Sequence, residues 1–313
     1  MTITTLIITF IFGSIIGSFL NVVIYRLNTN LSISKGHSKC FSCGRALGPK
    51  DLVPILSYLL FRGRCRTCKS KISVQYPLVE IFTGLMFVFV TYFYFFDNDI
   101  FIGNNIFNKG VIFSVLTQMS FFKYIFFVFD LSLLSLLICI FVYDFRHKII
   151  PDSLVYTGVI LMFVKIVISL IIFKIGWFGT IAVLLAGPIV ALPFALFWLV
   201  SGGRWMGLGD AKLALIVGWG LGISYGYTAL MYSFWIGAIS IIGLTLIREM
   251  FDAFSTPNNA LGIKIRFLHN KKLQYFARRL PSFKLRSEIP FGPFIIVAFY
   301  MIYFLGKNLL WWL

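Results

Sequence analysis

Long apolar runs alternate with short polar or basic segments along almost the whole chain. A membrane-crossing helix needs about 20 mostly apolar residues. Runs of that kind lie near 3–24, 78–96, 121–143, 154–175, 179–200, 211–225, 227–247 and 291–312. The pattern therefore predicts an all-α polytopic membrane protein of about eight transmembrane helices, since only helices satisfy their own backbone in lipid. Gly220, Gly222 and Gly226 interrupt one long run, so the boundary between the sixth and seventh spans is the least defined.

Composition sharpens the class. The 313 residues are 59% hydrophobic and only 12% charged, where a soluble domain has about 25% charged residues. A soluble globule and a disordered chain are both excluded. No basic stub with a small-residue cleavage site precedes the first run, which reads as a retained span.

The net charge of +17 would point to nucleic acid in a soluble protein. Here its placement sets topology instead, and no nucleic-acid partner is expected. Segment 25–77 holds ten of the 28 Lys and Arg, segment 248–290 holds nine, and the turns 144–153 and 201–212 hold two each. With eight spans all four segments share one face. The positive-inside rule makes that face cytoplasmic and places both termini outside the cytoplasm. Loop 248–290 reads as a basic segment facing anionic membrane lipids, with at most one short amphipathic helix around Lys271 to Leu280. The opposite loop, 97–110, has no basic cluster.

Segment 25–77 carries chemistry. Cys40-x-x-Cys43 and Cys65-x-x-Cys68 are two pairs whose inner cysteines stand 22 positions apart. Each spacing puts two thiolates on one tight turn, and two turns supply four tetrahedral ligands. A reducing compartment argues against disulfides. The expected occupant is a structural Zn2+, since four sulfurs leave no open position for catalysis. Gly44 and Gly63 suit the turns, and His37 is a spare ligand at most. Cys139 reads as a packing residue inside a span.

The eleven acids are few enough to weigh singly, and an acid in or beside a span marks function by default. Asp144 ends the third span and Asp210 begins the sixth, both on the cytoplasmic face. Two adjacent carboxyls share a proton, one serving as general base on water and the other as acid. Gly207 and Gly209 leave room beside Asp210 for an extended peptide, and Arg146, His147 and Lys212 lie close by in sequence. Asp152, after Pro151, reads as a helix start paired with a base. Glu80 and Asp130 read as structural hydrogen-bond or ion-pair partners. A proton-coupled transporter could use the same carboxylates, and a zinc-bearing scaffold of a pilus or secretion apparatus would need no chemistry at all.

Several motifs in fixed order resemble the type IV prepilin leader peptidase/N-methyltransferase family over almost the whole chain. They are Gly17-Ser18-Phe19-Leu20-Asn21 through Tyr25-Arg26, the paired cysteines, Tyr76-Pro77-Leu78-Val79-Glu80, Tyr143-Asp144, Ile150-Pro151-Asp152, Gly207-Leu208-Gly209-Asp210-Ala211-Lys212 and Glu288-Ile289-Pro290-Phe291-Gly292-Pro293-Phe294. The resemblance implies a membrane aspartic endopeptidase of the GxGD type in the bacterial inner membrane, with Asp144 and Asp210 catalytic. Its substrates would be prepilins or pseudopilins, cleaved behind their basic leader. It also implies N-methylation of the new N-terminus from S-adenosylmethionine, with the four-cysteine loop typical of bifunctional members. On that division, 1–24 is the first transmembrane helix, 25–77 the zinc-binding loop and 78–313 the peptidase core, including the basic loop 248–290.

Overall fold

In the computed structural model, residues 3–29, 32–33, 36–95, 120–173, 176–255 and 290–305 are described. Eight α-helices follow in order. They are α1 (Ile3–Arg26), α2 (Leu56–Leu60), α3 (Gln75–Phe95), α4 (Ser120–His147), α5 (Asp152–Phe173), α6 (Trp177–Ser201), α7 (Leu208–Ser255) and α8 (Gly292–Leu305). The all-helical expectation holds, and loop 97–110, the segment around Lys271 to Leu280 and the end of the last predicted span lie outside the described residues.

The span count takes a different form from the pattern. Among the described residues six helices are long and apolar enough to cross a membrane, and α8 adds a shorter apolar segment, Gly292–Phe304. The sixth, Leu208–Ile247, runs for 40 residues, but at Gly222 the backbone leaves the helix with φ 78° and ψ −179°. That conformation is open to glycine alone. An added Cβ at Gly226 would lie 3.5 Å from the Gly218 Cα, although eight residues of straight helix span about 12 Å. The chain thus turns sharply here into two arms. Helix α7 also continues to Ser255, past the predicted start of the basic loop at 248.

Helix α6 binds both arms through a device its sequence creates. Pro188 and Pro193 sit inside it, and each proline frees the carbonyl four residues earlier. Those carbonyls belong to Leu184 and Ile189. The Trp219 Nε1–H donates to Leu184 O at 3.0 Å, and the Tyr227 hydroxyl donates to Ile189 O at 2.8 Å. Each arm of α7 satisfies one orphaned acceptor that lipid could not. Close packing adds to this, since an added Cβ at Gly218 would stand 2.5 Å from Ala186 O.

One end of the bundle collects the chemistry. The end of α1 meets the end of α4 where Asn28 Nδ2 donates to the Tyr143 hydroxyl at 2.9 Å. The Arg146 guanidinium lies 4.6 Å over the Tyr25 ring. The cysteine loop, the start of α7 and the start of α8 gather at the same end.

Tyr227→Phe should lower stability by about 1–3 kcal/mol, the cost of a buried unpaired acceptor. In a Pro193→Ala background the Ile189 carbonyl regains its helical donor, and the cost should shrink. Thermal unfolding in detergent of the four proteins in this cycle measures it, and equal costs in both backgrounds would contradict the account.

Candidate active site

Asp144 stands in the last turn of α4 and Asp210 in the first turn of α7. Both are buried, with 2% and 7% of their surface exposed. Each also holds a carboxylate oxygen without a hydrogen-bond partner among the described residues, Asp144 Oδ2 and Asp210 Oδ1. The two are near enough for the Asp144 charge to act on Asp210. Backbone amides face them, that of Gly292 toward Asp144 and that of Gly207 toward Asp210.

The sequence brings three basic side chains close to the acids, but the fold sends each elsewhere. Arg146 stacks on Tyr25 and donates to Gln75 Oε1 at 3.3 Å. His147 stacks against Tyr143, with ring centres 4.5 Å apart. Lys212 pairs with Asp152 at 2.6 Å and lies over the Tyr156 ring. A helical turn spreads neighbours around its axis, so proximity in sequence does not become contact. Asp152 is accordingly the ion-paired helix start that its position after Pro151 predicts.

The signal that sequence reading missed is Gly292. An added Cβ there would lie 2.6 Å from Asp144 Oδ2 and 3.1 Å from Ile150 Cδ1. The Pro290-Phe291-Gly292-Pro293 signature thus brings bare backbone against the carboxyl. Ile150 also closes on the other acid's loop, 2.8 Å from a Cβ built on Gly209. The space beside Gly209 is filled by Ile150 rather than left open for a peptide. Beside Gly207 the nearest atom is Asp210 Oδ2 itself, at 3.7 Å, so the open flank of the pair lies there.

The four-cysteine loop joins this end of the bundle. Its ligand atoms, the sulfurs of Cys40, Cys43, Cys65 and Cys68, all lie within 4.8 Å of one another. Four thiolates at about 2.3 Å from one ion stand about 3.8 Å apart, and Cys40 and Cys68 are 3.8 Å apart. The donor set fits a closed tetrahedral metal site. Backbone amides of Cys43 and Ser42 bring the Cys40 thiol down to about 6. For Cys43 the Arg45 amide pulls down, but desolvation and the sulfurs of Cys40 and Cys68 outweigh it, lifting the thiol to about 11. A cation among the four sulfurs would relieve that mutual repulsion.

The two halves of the loop repeat one turn. Cys40 N–H donates to Arg45 O and Gly44 N–H to Cys40 O, both at 2.9 Å. Cys65 N–H donates to Ser70 O at 2.8 Å and Lys69 N–H to Cys65 O at 3.1 Å. Isolated bridges Lys39–Ala46 and Arg64–Lys71 close the two copies. The left-handed position falls on Gly44 (φ 70°) in one and on Lys69 (φ 56°) in the other. Gly63, also left-handed (φ 64°), turns the chain into the second copy as expected and packs over Tyr58. Arg45 bridges the halves, donating to the Thr67 hydroxyl and to Asp51. His37 is outside the cluster. Glu80, buried in α3, accepts from the Ile55 N–H at 2.7 Å and so ties the loop to the bundle at a residue with φ 62°.

Fold and site together define a multi-pass helical membrane protein with a buried aspartate pair and a four-thiol loop at one end. The chain belongs to the type IV leader peptidase family, peptidase A24. The pattern of the bacterial peptidase A24 N-terminal domain matches residues 11–94, and that of the type IV leader peptidase family matches 131–242. A prepilin leader peptidase/N-methyltransferase of Bacillus subtilis is 30% identical over 233 residues, covering 74% of this chain and 80% of that protein. One from Neisseria gonorrhoeae is 28% identical over 273 residues, covering 78% and 84%. One from Myxococcus xanthus is 50% identical over 78 residues, but this covers only 25% of this chain and 23% of that protein. No solved structure is a significant match.

Lys69→Gly should stabilise the loop by about 1 kcal/mol, since a left-handed residue with a Cβ costs about 1–2 kcal/mol. Gly44→Ala should destabilise it by a similar amount. Limited proteolysis at 36–74 measures both; a Lys69→Gly loop cut faster than wild type would rule the repeat out as the cause.

Proposed function

We propose that this protein is a membrane aspartic endopeptidase of the bacterial inner membrane that removes the basic leader from type IV prepilins or pseudopilins at the cytoplasmic face. The observation that carries this reading is the pair of buried carboxyls, Asp144 and Asp210, each with a free oxygen. Buried carboxyls are ordinarily hydrogen-bonded or ion-paired, and every other acid described in a span is engaged: Glu80 by Ile55, Asp130 by Lys165, Asp152 by Lys212. That engagement also weighs against a proton-coupled transporter, because Asp130 is tied to Lys165. A bare scaffold gives no reason to keep two unpaired acids at one point.

Two facing carboxyls share one proton. The ionised one takes a proton from water, whose oxygen attacks the scissile carbonyl carbon, while the protonated one gives its proton to the carbonyl oxygen. Collapse of the tetrahedral intermediate breaks the C–N bond, and the leaving amine takes up a proton from the pair. The Gly207 side is the open approach for an extended backbone. A prepilin's apolar helix would lie in the bilayer, with its cleavage site at the depth of α4's last turn and its excess of basic residues balanced locally by the acids. The enzyme's own basic segments would face anionic lipid.

The same reading makes the chain an N-methyltransferase, as the names of its relatives state for those proteins, with S-adenosylmethionine as donor. The seam between α1 and α3 does not fit a nucleoside: an added Cβ at Gly17 would lie 2.9 Å from the Glu80 Cα. No residue is assigned to the donor. Zn2+ suits the four thiols and would be structural, with Cys40, Cys43, Cys65 and Cys68 holding the loop against α4. On this division 25–77 serves the loop and 78–313 the peptidase.

Purified protein should cleave a synthetic prepilin. Asp144→Asn and Asp210→Asn should each lower kcat at least about 10³-fold with unfolding temperature preserved. Cleavage by either variant at the wild-type rate would move the chemistry to other groups. Gly292→Ala should lower kcat about tenfold or more with little change in stability, because the atom displaced is the end of the Asp144 side chain. Zinc should bind at one ion per chain and be lost from Cys40→Ser, with methyl transfer impaired more than cleavage.

A further inference from the structure

Fourteen residues back along α4 from Asp144, near the middle of the helix, lies a second buried polar cluster. Asp130 is 6% exposed and accepts from the Lys165 ammonium, the Tyr94 hydroxyl and the Tyr303 hydroxyl, the last at 2.8 Å. Lys165 also reaches the Tyr303 hydroxyl at 3.4 Å. Four helices contribute: α3 through Tyr94, α4 through Asp130, α5 through Lys165 and α8 through Tyr303.

Asp130 precedes Asp144 by fourteen residues, about 21 Å along the helix and nearly on the same face. Tyr303 follows Gly292 by eleven. Helices α4 and α8 are antiparallel, so they touch at two marked points, Asp144 with Gly292 and Asp130 with Tyr303. Between those points the buried residues of α8 are Pro293, Ile295, Ile296, Ala298, Phe299 and Ile302. These apolar contacts include close packing, as where Phe299 meets Gly220 of α7. Burial of apolar surface by itself, however, adds little to register in lipid, because acyl chains are as apolar as the residues they replace. A slip of one turn moves α8 by about 5.4 Å. The polar cluster forbids it, since it would part Tyr303 from a buried carboxylate and its cation.

We propose that Asp130, Lys165 and Tyr303 are positioning residues for the peptidase site, fixing the axial register of α8 on α4 and thereby holding Gly292 against Asp144. The proposal rests on the reading of Asp144 as a catalytic acid. Its action is through Gly292, so the two sites should be coupled.

Tyr303→Phe removes one hydroxyl and keeps the ring, which makes it the mild variant. With synthetic prepilin it should lower kcat about tenfold at unchanged KM, with unfolding temperature nearly preserved. Combined with Gly292→Ala, the two losses should be less than multiplicative, because both variants disturb one contact. Multiplicative losses, or full kcat in Tyr303→Phe, would overturn the proposal. A second measurement needs no catalysis. Phe291 packs on Phe194 and Phe234, so a benzoylphenylalanine at that position should cross-link near those residues in an otherwise wild-type chain. In Tyr303→Phe and Asp130→Asn the cross-link should move by about one turn; cross-links that stay in place would overturn the register. If wild-type protein cleaves no prepilin, the reading of the aspartates fails, and the cross-link still decides whether the cluster sets α8.

Discussion

One helical turn at the end of α4 holds the molecule together. Successive residues on a helix project about 100° apart, and Tyr143, Asp144 and Arg146 therefore face three different neighbours. Tyr143 accepts from Asn28 at the end of α1. Asp144 meets Gly292 at the start of α8. Arg146 stacks on Tyr25, itself stacked on Tyr76 and packed against Phe41 inside the first cysteine turn. The four-thiol loop, the aspartate pair and the last helix are thus fixed against the same few residues, and none can shift far without disturbing the others.

Elsewhere the bundle is governed by the demand that polar groups in lipid find partners within the protein. Two prolines in α6 create acceptors, and two side chains on α7 meet them. An aspartate in α4 requires a lysine in α5 and hydroxyls in α3 and α8. These contacts supply the specificity that apolar packing lacks in a membrane. At Asp144 and Asp210 the demand is left unmet among the described residues, and there an unsatisfied oxygen is what acid–base chemistry uses.

Much of this was legible in the chain. Apolar runs gave the helices because hydrocarbon thickness sets their length. The cysteine spacing gave the four-thiol cluster because a tight turn converges two ligands. Asp144 and Asp210 stood out because acids at span ends are scarce. What could not be read were contacts set by packing between distant segments. Gly292 lies 148 positions from Asp144 and carries no side chain to advertise its role. Arg146, His147 and Lys212 were near the acids in sequence, but helix geometry turned them to other partners. Lys69 held no sign that it adopts the conformation Gly44 adopts, and Pro188 and Pro193 announced freed carbonyls without naming Trp219 or Tyr227.

The repeated turn of the cysteine loop bears on the order in which the chain assembles. Each copy closes through hydrogen bonds spanning at most nine residues, and the pair is complete by Ile72. Local contacts of this kind form quickly, and a chain made from its N-terminus has them in hand before α4 is synthesised. Tyr25, Tyr76 and Asn28 follow or precede the loop closely in sequence, so the cradle for α4's last turn is ready when that turn arrives. The aspartate that depends on it is then seated by a surface already built, rather than by a search among the other helices.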